Sequence, residues 1–193
     1  VGDEVYGRCV HPGTVAEYVV DDQRYFAKKP LGISHSEAAS LPLVGMTVLQ
    51  VLQNRIALKR GQKILIHAGS GGVGSLAIQL AKHLGAHVVT TCSGGNVDFV
   101  KRLGAHLGLF SVSLLVNSSD VGIGADEVID YKTDDFEKRV TDADAVLDTV
   151  GGDTLAKVRE RTHSDASALT CVCTVVYLCQ ERRYCLVDCR HSG

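Results

Sequence analysis

The chain has 193 residues, 45% of them hydrophobic, and a formal net charge of −2. That composition supplies a packed core and room for one large domain or one domain plus part of another. The mixed charge argues against a nucleic-acid surface, no apolar run reaches the roughly 18 residues of a membrane helix, and the first residues form neither a signal peptide nor an Arg/Ser-rich transit stretch. The chain opens on Val1 rather than Met, so this end is expected to be internal to a longer protein. A cytoplasmic location is expected, with the mitochondrion left open for that reason.

In chain order, Gly2-Asp3-Glu4-Val5-Tyr6-Gly7 reads as a turn and a short strand, Thr14–Val20 as a second strand, and Lys28-Lys29-Pro30 as the end of a third. Ser34 and Glu37 have capping-box spacing, so a helix is predicted from there through Leu52, bent or restarted at Pro42. After Gly61 the β-branched run Ile64-Leu65-Ile66 enters a glycine cluster, His67-Ala68-Gly69-Ser70-Gly71-Gly72-Val73-Gly74. An apolar helical pattern follows at once at Leu76, Ala77, Ile78, Leu80, Ala81 and Leu84. Strand, tight turn and helix are the context in which Gly-x-Gly-x-x-Gly signals dinucleotide binding. Gly69 permits the turn, Gly71 lets backbone approach a pyrophosphate, and Gly74 lets the helix pack on the strand. Ser70, Gly71, Gly72 and Val73 are then expected to face the pyrophosphate through their N–H groups at a helix N-terminus.

Val88-Val89-Thr90-Thr91 reads as the next strand, and it ends in Cys92-Ser93-Gly94-Gly95-Asn96, without the carboxylate that would hold a ribose 2′-hydroxyl. Small hydroxyl and amide groups can take a 2′-phosphate instead, so the expected cofactor is NADPH. Val97–Leu103 reads as a helix, Glu127–Tyr131 as a strand, Phe136–Val140 as a short helix, and Ala145–Asp148 as a strand leading into Thr149-Val150-Gly151-Gly152. Strands alternating with helices imply an α/β, doubly wound parallel sheet of the Rossmann type. Right-handed crossovers put its four strands in the order 3-2-1-4.

Gly2–Gly7, Ala38-Ala39-Ser40-Leu41-Pro42-Leu43, Gly45-Met46-Thr47, Ile66–Gly74, Asp126–Tyr131 and Leu147–Gly152 occur together and in order. On them the chain resembles the zinc-independent medium-chain dehydrogenase/reductase superfamily in its quinone oxidoreductase-like branch. The resemblance implies the end of a GroES-like β domain over residues 1–33 and an NADP-binding Rossmann domain over 34–160. It also implies NADPH-dependent reduction of a quinone or an α,β-unsaturated carbonyl, and, in the full-length family, a homodimer. By the same resemblance Ser93 sits at the ribose 2′-phosphate, Tyr131 reaches that end from the side, and Thr47 is a nicotinamide-side contact.

Zinc-dependent relatives place a Cys ligand where this chain has Leu43, and their lobe of four close Cys has no counterpart between Val5 and Tyr18. No metal is expected. Of the seven cysteines, only Cys9 and Cys92 precede residue 170, and Cys171, Cys173, Cys179, Cys185 and Cys189 crowd the tail. Their spacing suits neither a zinc site nor, beside a nucleotide fold, a disulfide framework.

Two stretches depart from the family pattern. Removing Ala105–Gly124 restores the path from Leu103-Gly104 into Ala125-Asp126-Glu127, and from about Arg161 the chain runs into the Cys-rich tail, 161–193. A retained intron and a shifted reading frame would account for the two. The family's N-terminal catalytic segment is then expected to lie before Val1, and its last sheet strands to be missing or replaced after residue 160, with Val175–Leu178 available to fill a sheet position. No catalytic acid–base set is evident. His67 reads as a packed or hydrogen-bonded core histidine, Asp148 either as a strand end at the cofactor edge or as a turn cap, and Asp134, Asp135, Glu137, Lys138 and Arg139 as a solvated face. Three readings stay open: a reductase, incomplete in this chain; a non-catalytic NADPH-binding relative; and a defective gene product.

Overall fold

A computed structural model of the chain describes residues 2–10, 13–103, 124–154, 157 and 169–171. The first part is small: β1 (Val5–Gly7) pairs antiparallel with β2 (Phe26–Lys28). The strand expected over Thr14–Val20 does not form. A strand persists only when a partner takes its backbone hydrogen bonds, and among the described residues the small sheet has just two members. Val15, Tyr18 and Val20 are correspondingly exposed.

α1 (His35–Ser40) begins with the predicted capping box: Ser34 Oγ accepts from the Glu37 N–H, and Glu37 accepts from the Ser34 N–H at 2.7 Å. Pro42 starts a second helix, α2 (Pro42–Leu49), where its missing N–H costs nothing. The expected continuation to Leu52 takes the form of a π-helical turn over Gln50–Arg55.

The larger unit alternates β3 (Lys63–Ile66), α3 (Gly72–His83), β4 (His87–Cys92), α4 (Val97–Arg102), β5 (Glu127–Asp130), α5 (Phe136–Arg139), β6 (Ala145–Asp148) and β7 (Leu169–Cys171). All five strands are parallel, in the order β5-β4-β3-β6-β7. The first four obey the predicted order. The fifth position is taken by Leu169–Cys171, in the segment where the family's last strands are expected to be missing or replaced. Val175–Leu178 and residues 105–123 lie outside the described residues.

Strand alternation sorts the core onto two faces. Ile64, Ile66, Val88, Cys92, Ala145 and Leu147 point to the face covered by α2, α3 and α4. Leu65, Val89, Ile129 and Val146 point to the other, where Phe136 and Val140 close over them. Strand order reverses between β3 and β6. Ligands of open α/β sheets bind in the crevice beyond the strand ends at such a switch point, and the glycine cluster leaves β3 there.

Candidate functional site

The chain rounds the end of β3 at Ala68, whose φ of 53° is left-handed and costs an L-residue about 1–2 kcal/mol. Three hydrogen bonds hold the turn: the Gly69 N–H donates to Thr91 O at 2.9 Å, the Gly71 N–H to Ala68 O at 2.9 Å, and the Ser75 N–H to Gly71 O at 2.8 Å. The glycines have different tasks. A Cβ on Gly69 would collide with Thr90 Oγ1. One on Gly74 would collide with Ala68 O and stand 2.8 Å from Gly69 Cα, so only glycine lets α3 lie this close to the turn. At Gly71 a Cβ meets only Ala68 O, at 3.2 Å, and the space beyond is open.

Gly71 is the N-cap of α3, and no side chain caps the helix. The N–H groups of its first turn, Gly72, Val73 and Gly74, have no intrahelical acceptor. With the positive end of the helix dipole behind them they form a cradle for an anion. The Gly71 N–H, expected to join them, donates to Ala68 O within the turn. Helix α2 braces the cradle from the side, with Val44 Cγ1 3.6 Å from the Cβ position of Gly72.

Ser70 and Ser93, from the turns after β3 and β4, come together through Asn96. Its Nδ2 donates to Ser70 Oγ at 3.2 Å and to Ser93 Oγ at 3.0 Å. The bridge joins two turns 26 residues apart and carries no local sequence signal. Thr47 is buried on α2 and its Oγ1 donates to Leu43 O at 2.9 Å, inside the helix. Tyr131 stands exposed at the end of β5 and lines a cleft of about 430 Å³ with His67, Ala68, Thr91, Phe136 and Val150.

His67 is 2% exposed. Its Nδ1 lies 3.0 Å from Thr91 Oγ1 and its ring meets Phe136 edge-on with centroids 4.7 Å apart. Burial pulls its pKa below the ordinary histidine value, against the attraction of Asp148 and Glu137, so the neutral form is favoured. Asp148 caps the turn after β6, with Oδ1 accepting from the Val150 N–H at 2.8 Å and the Gly151 N–H at 3.0 Å. Asp134 and Asp135 pair with Arg139 and Lys138 across exposed surface, and the half-buried Glu137 pairs with Lys157. Among the described residues no three His, Cys, Asp or Glu side chains gather to hold a metal. No described helix is long and apolar enough to cross a membrane.

A family model described as "Zinc-binding dehydrogenase" matches residues 72–171. The match runs to the end of β7. The Arabidopsis thaliana chloroplast envelope quinone oxidoreductase homolog is 41% identical over 139 residues, 68% of this chain and 36% of the relative. The tomato 2-methylene-furan-3-one reductase is 36% identical over 169 residues, 81% of this chain and 38% of the relative. The solved quinone oxidoreductase of Coxiella burnetii superposes with a TM-score of 0.71 at 38% identity, over 86% of this chain and 47% of that one. A mycobacterial protein solved in complex with NADPH superposes with a TM-score of 0.52 at 35% identity, over 74% of this chain and 37% of that one. The chain spans between a third and two fifths of the length of these two curated relatives. On the matched domain, the sheet order and the glycine turn, the chain belongs to the medium-chain dehydrogenase/reductase family, in its quinone oxidoreductase-like branch.

Proposed function

We propose that this chain carries the cofactor-binding half of an NADPH-dependent oxidoreductase that reduces a quinone or an α,β-unsaturated carbonyl, a small-molecule substrate. The observation that carries the reading is the uncapped first turn of α3, set at the switch point of the sheet. The residues present fit a dinucleotide. Gly72, Val73 and Gly74 would hold the pyrophosphate, and the open space at Gly71 admits it to the backbone. Ser70 and Ser93, hydroxyls with no carboxylate at the end of β4, would take the ribose 2′-phosphate, and Tyr131 would flank that end. By the family resemblance alone, Thr47 would stand on the nicotinamide side.

When bound, the reduced nicotinamide supplies the hydride for an electron-poor carbon. The protein's part is to place the cofactor and exclude water. The buried, neutral His67 and the turn-capping Asp148 support the strand ends and are not acid–base catalysts in this reading. Leu43 stands where a zinc ligand would be needed and has no donor atom, so the reaction is read as zinc-independent. A homodimer and a location in the cytoplasm or the mitochondrion belong to the same reading.

Titration of the chain with NADPH and NADH tests it, alongside consumption of NADPH with a quinone or an enone present. Tighter NADPH than NADH binding is expected, and loss of binding in Gly71→Leu. Tighter NADH binding, or unchanged NADPH affinity in Gly71→Leu, would refute it.

A further inference from the structure

The bridge at Asn96 does something that neither serine does alone. An amide nitrogen has two N–H groups and a serine hydroxyl has one O–H and two lone pairs. Asn96 spends one N–H on each hydroxyl oxygen, on Ser70 of the glycine turn and Ser93 of the turn after β4. With a lone pair of each oxygen occupied, each O–H is left to donate elsewhere, and accepting a bond strengthens the bond it then donates. The two hydroxyls flank one nitrogen and are half-buried. Behind them, a Cβ on Gly94 would collide with Asp130 Oδ2, so the Asp130 carboxylate backs directly onto this turn. Asp130 Oδ1 is engaged by the Lys132 N–H at 3.0 Å, which fixes the carboxylate in place.

We propose that Asn96 is the residue that sets cofactor choice in this chain, by holding Ser70 and Ser93 as a pair of donors for the 2′-phosphate. The proposal rests on the NADPH reading above and adds its specificity element. It describes selection by neutral donors against a nearby carboxylate, and therefore a graded preference rather than the near-exclusive one an arginine clamp would give. Asp130 opposes a phosphate and suits a ribose hydroxyl, so the donor pair is what tips the site.

Asn96→Asp keeps the shape and reverses the chemistry. The carboxylate accepts from both serine hydroxyls, turns their O–H groups inward, and adds a charge facing the phosphate. NADPH affinity is expected to fall at least about thirtyfold while NADH affinity changes less than about threefold, with the melting curve unchanged. A double-mutant cycle guards against a mere folding effect. Ser93→Ala is expected to cost NADPH about tenfold in the natural chain and little in Asn96→Ala, because the hydroxyl there is no longer held. Fluorescence titration of the chain with each cofactor reads all of these. A ratio of NADPH to NADH affinity that Asn96→Asp moves by less than threefold would overturn the proposal, as would strict additivity in the cycle. If the natural chain binds NADPH and the ratio stays put, only the role of Asn96 falls. If the natural chain binds neither cofactor, the NADPH reading itself falls and takes this one with it.

Discussion

Gly74→Ala and Gly71→Ala separate the glycine that folds the turn from the one that leaves room for a ligand. At Gly74 the new methyl meets Ala68 O, Gly69 Cα at 2.8 Å and Ala68 C at 2.9 Å. All three are backbone atoms of a turn already pinned by the Gly69 and Gly71 N–H bonds, so none can give way as a flexible side chain would. Overpacking costs about 1–3 kcal/mol when neighbours can shift, and here the helix must lift off the strand, so about 3 kcal/mol is expected. With a urea dependence of about 2 kcal/mol per molar, the unfolding midpoint should fall by about 1.5 M. At Gly71 the methyl meets a single carbonyl oxygen at 3.2 Å, and φ −77°, ψ 169° suits alanine. The poorer N-cap costs under about 1 kcal/mol and the lost unfolded-state freedom returns about 0.4–1 kcal/mol, so the midpoint should barely move. Urea unfolding followed by circular dichroism compares the two. Equal midpoints, or a larger loss at Gly71, would refute the division of labour.

His67 gives a pH signature. Its folded-state pKa is lowered from 6.5 by burial, so the unfolded chain takes up the proton first, and stability present above about pH 6.5 drains away as pH falls toward the folded-state value. His67→Phe should flatten that slope in melts between about pH 5 and 7.5, and an unchanged slope would count against it. Burial by itself would raise the Asp126 carboxyl, but Lys82 at 2.7 Å, the Val88 N–H at 2.7 Å and nearby His87 outweigh it and hold it below 3.8. Its contribution is present above that value and lost as pH drops through the lower one. Asp126→Asn should therefore cost about 1 kcal/mol at pH 7, after solvent screening, and nothing in strong acid. Excising Ala105–Gly124 should leave NADPH affinity unchanged and raise the melting temperature. Loss of folding or of binding would mark the segment as an integrated element.

The Rossmann half was legible because its signals are local. Ile64–Ile66 ends in glycines and is followed by a 3.6-residue apolar pattern, and Ser34 and Glu37 cap a helix three residues apart. For Asp148 the sequence left open a place at the cofactor edge or a turn cap, and the Val150 and Gly151 N–H bonds show the cap. What stayed hidden depends on segments distant in sequence. Thr14–Val20 has strand composition, but a strand needs a partner, and composition cannot say whether one is there. Asn96 bridges Ser70 and Ser93 across 26 and 3 residues, and only the parallel register of β3 and β4 brings those turns together. β7 was missed because a three-residue strand, Leu169–Cys171, in an unfamiliar tail carries almost no periodic signal; its place is set by pairing with β6.

The junction at residues 104–124 shows how a local pattern and a distant contact can support one another. In the structure Gly124 lies against the carbonyls of Val100 and Lys101, at the end of α4, where a Cβ would collide with Lys101 O. The two described flanks, Leu103 and Gly124, are thus both at the last turn of that helix. Joining Gly104 directly to Ala125 keeps a glycine immediately before Ala125 and leads into the same Asp126 that accepts from the Val88 N–H. The family pattern by itself points to excision at this junction. The steric requirement at Gly124 is a second, independent reason, because a deletion that left any other residue at that point would have to push α4 away from the start of β5.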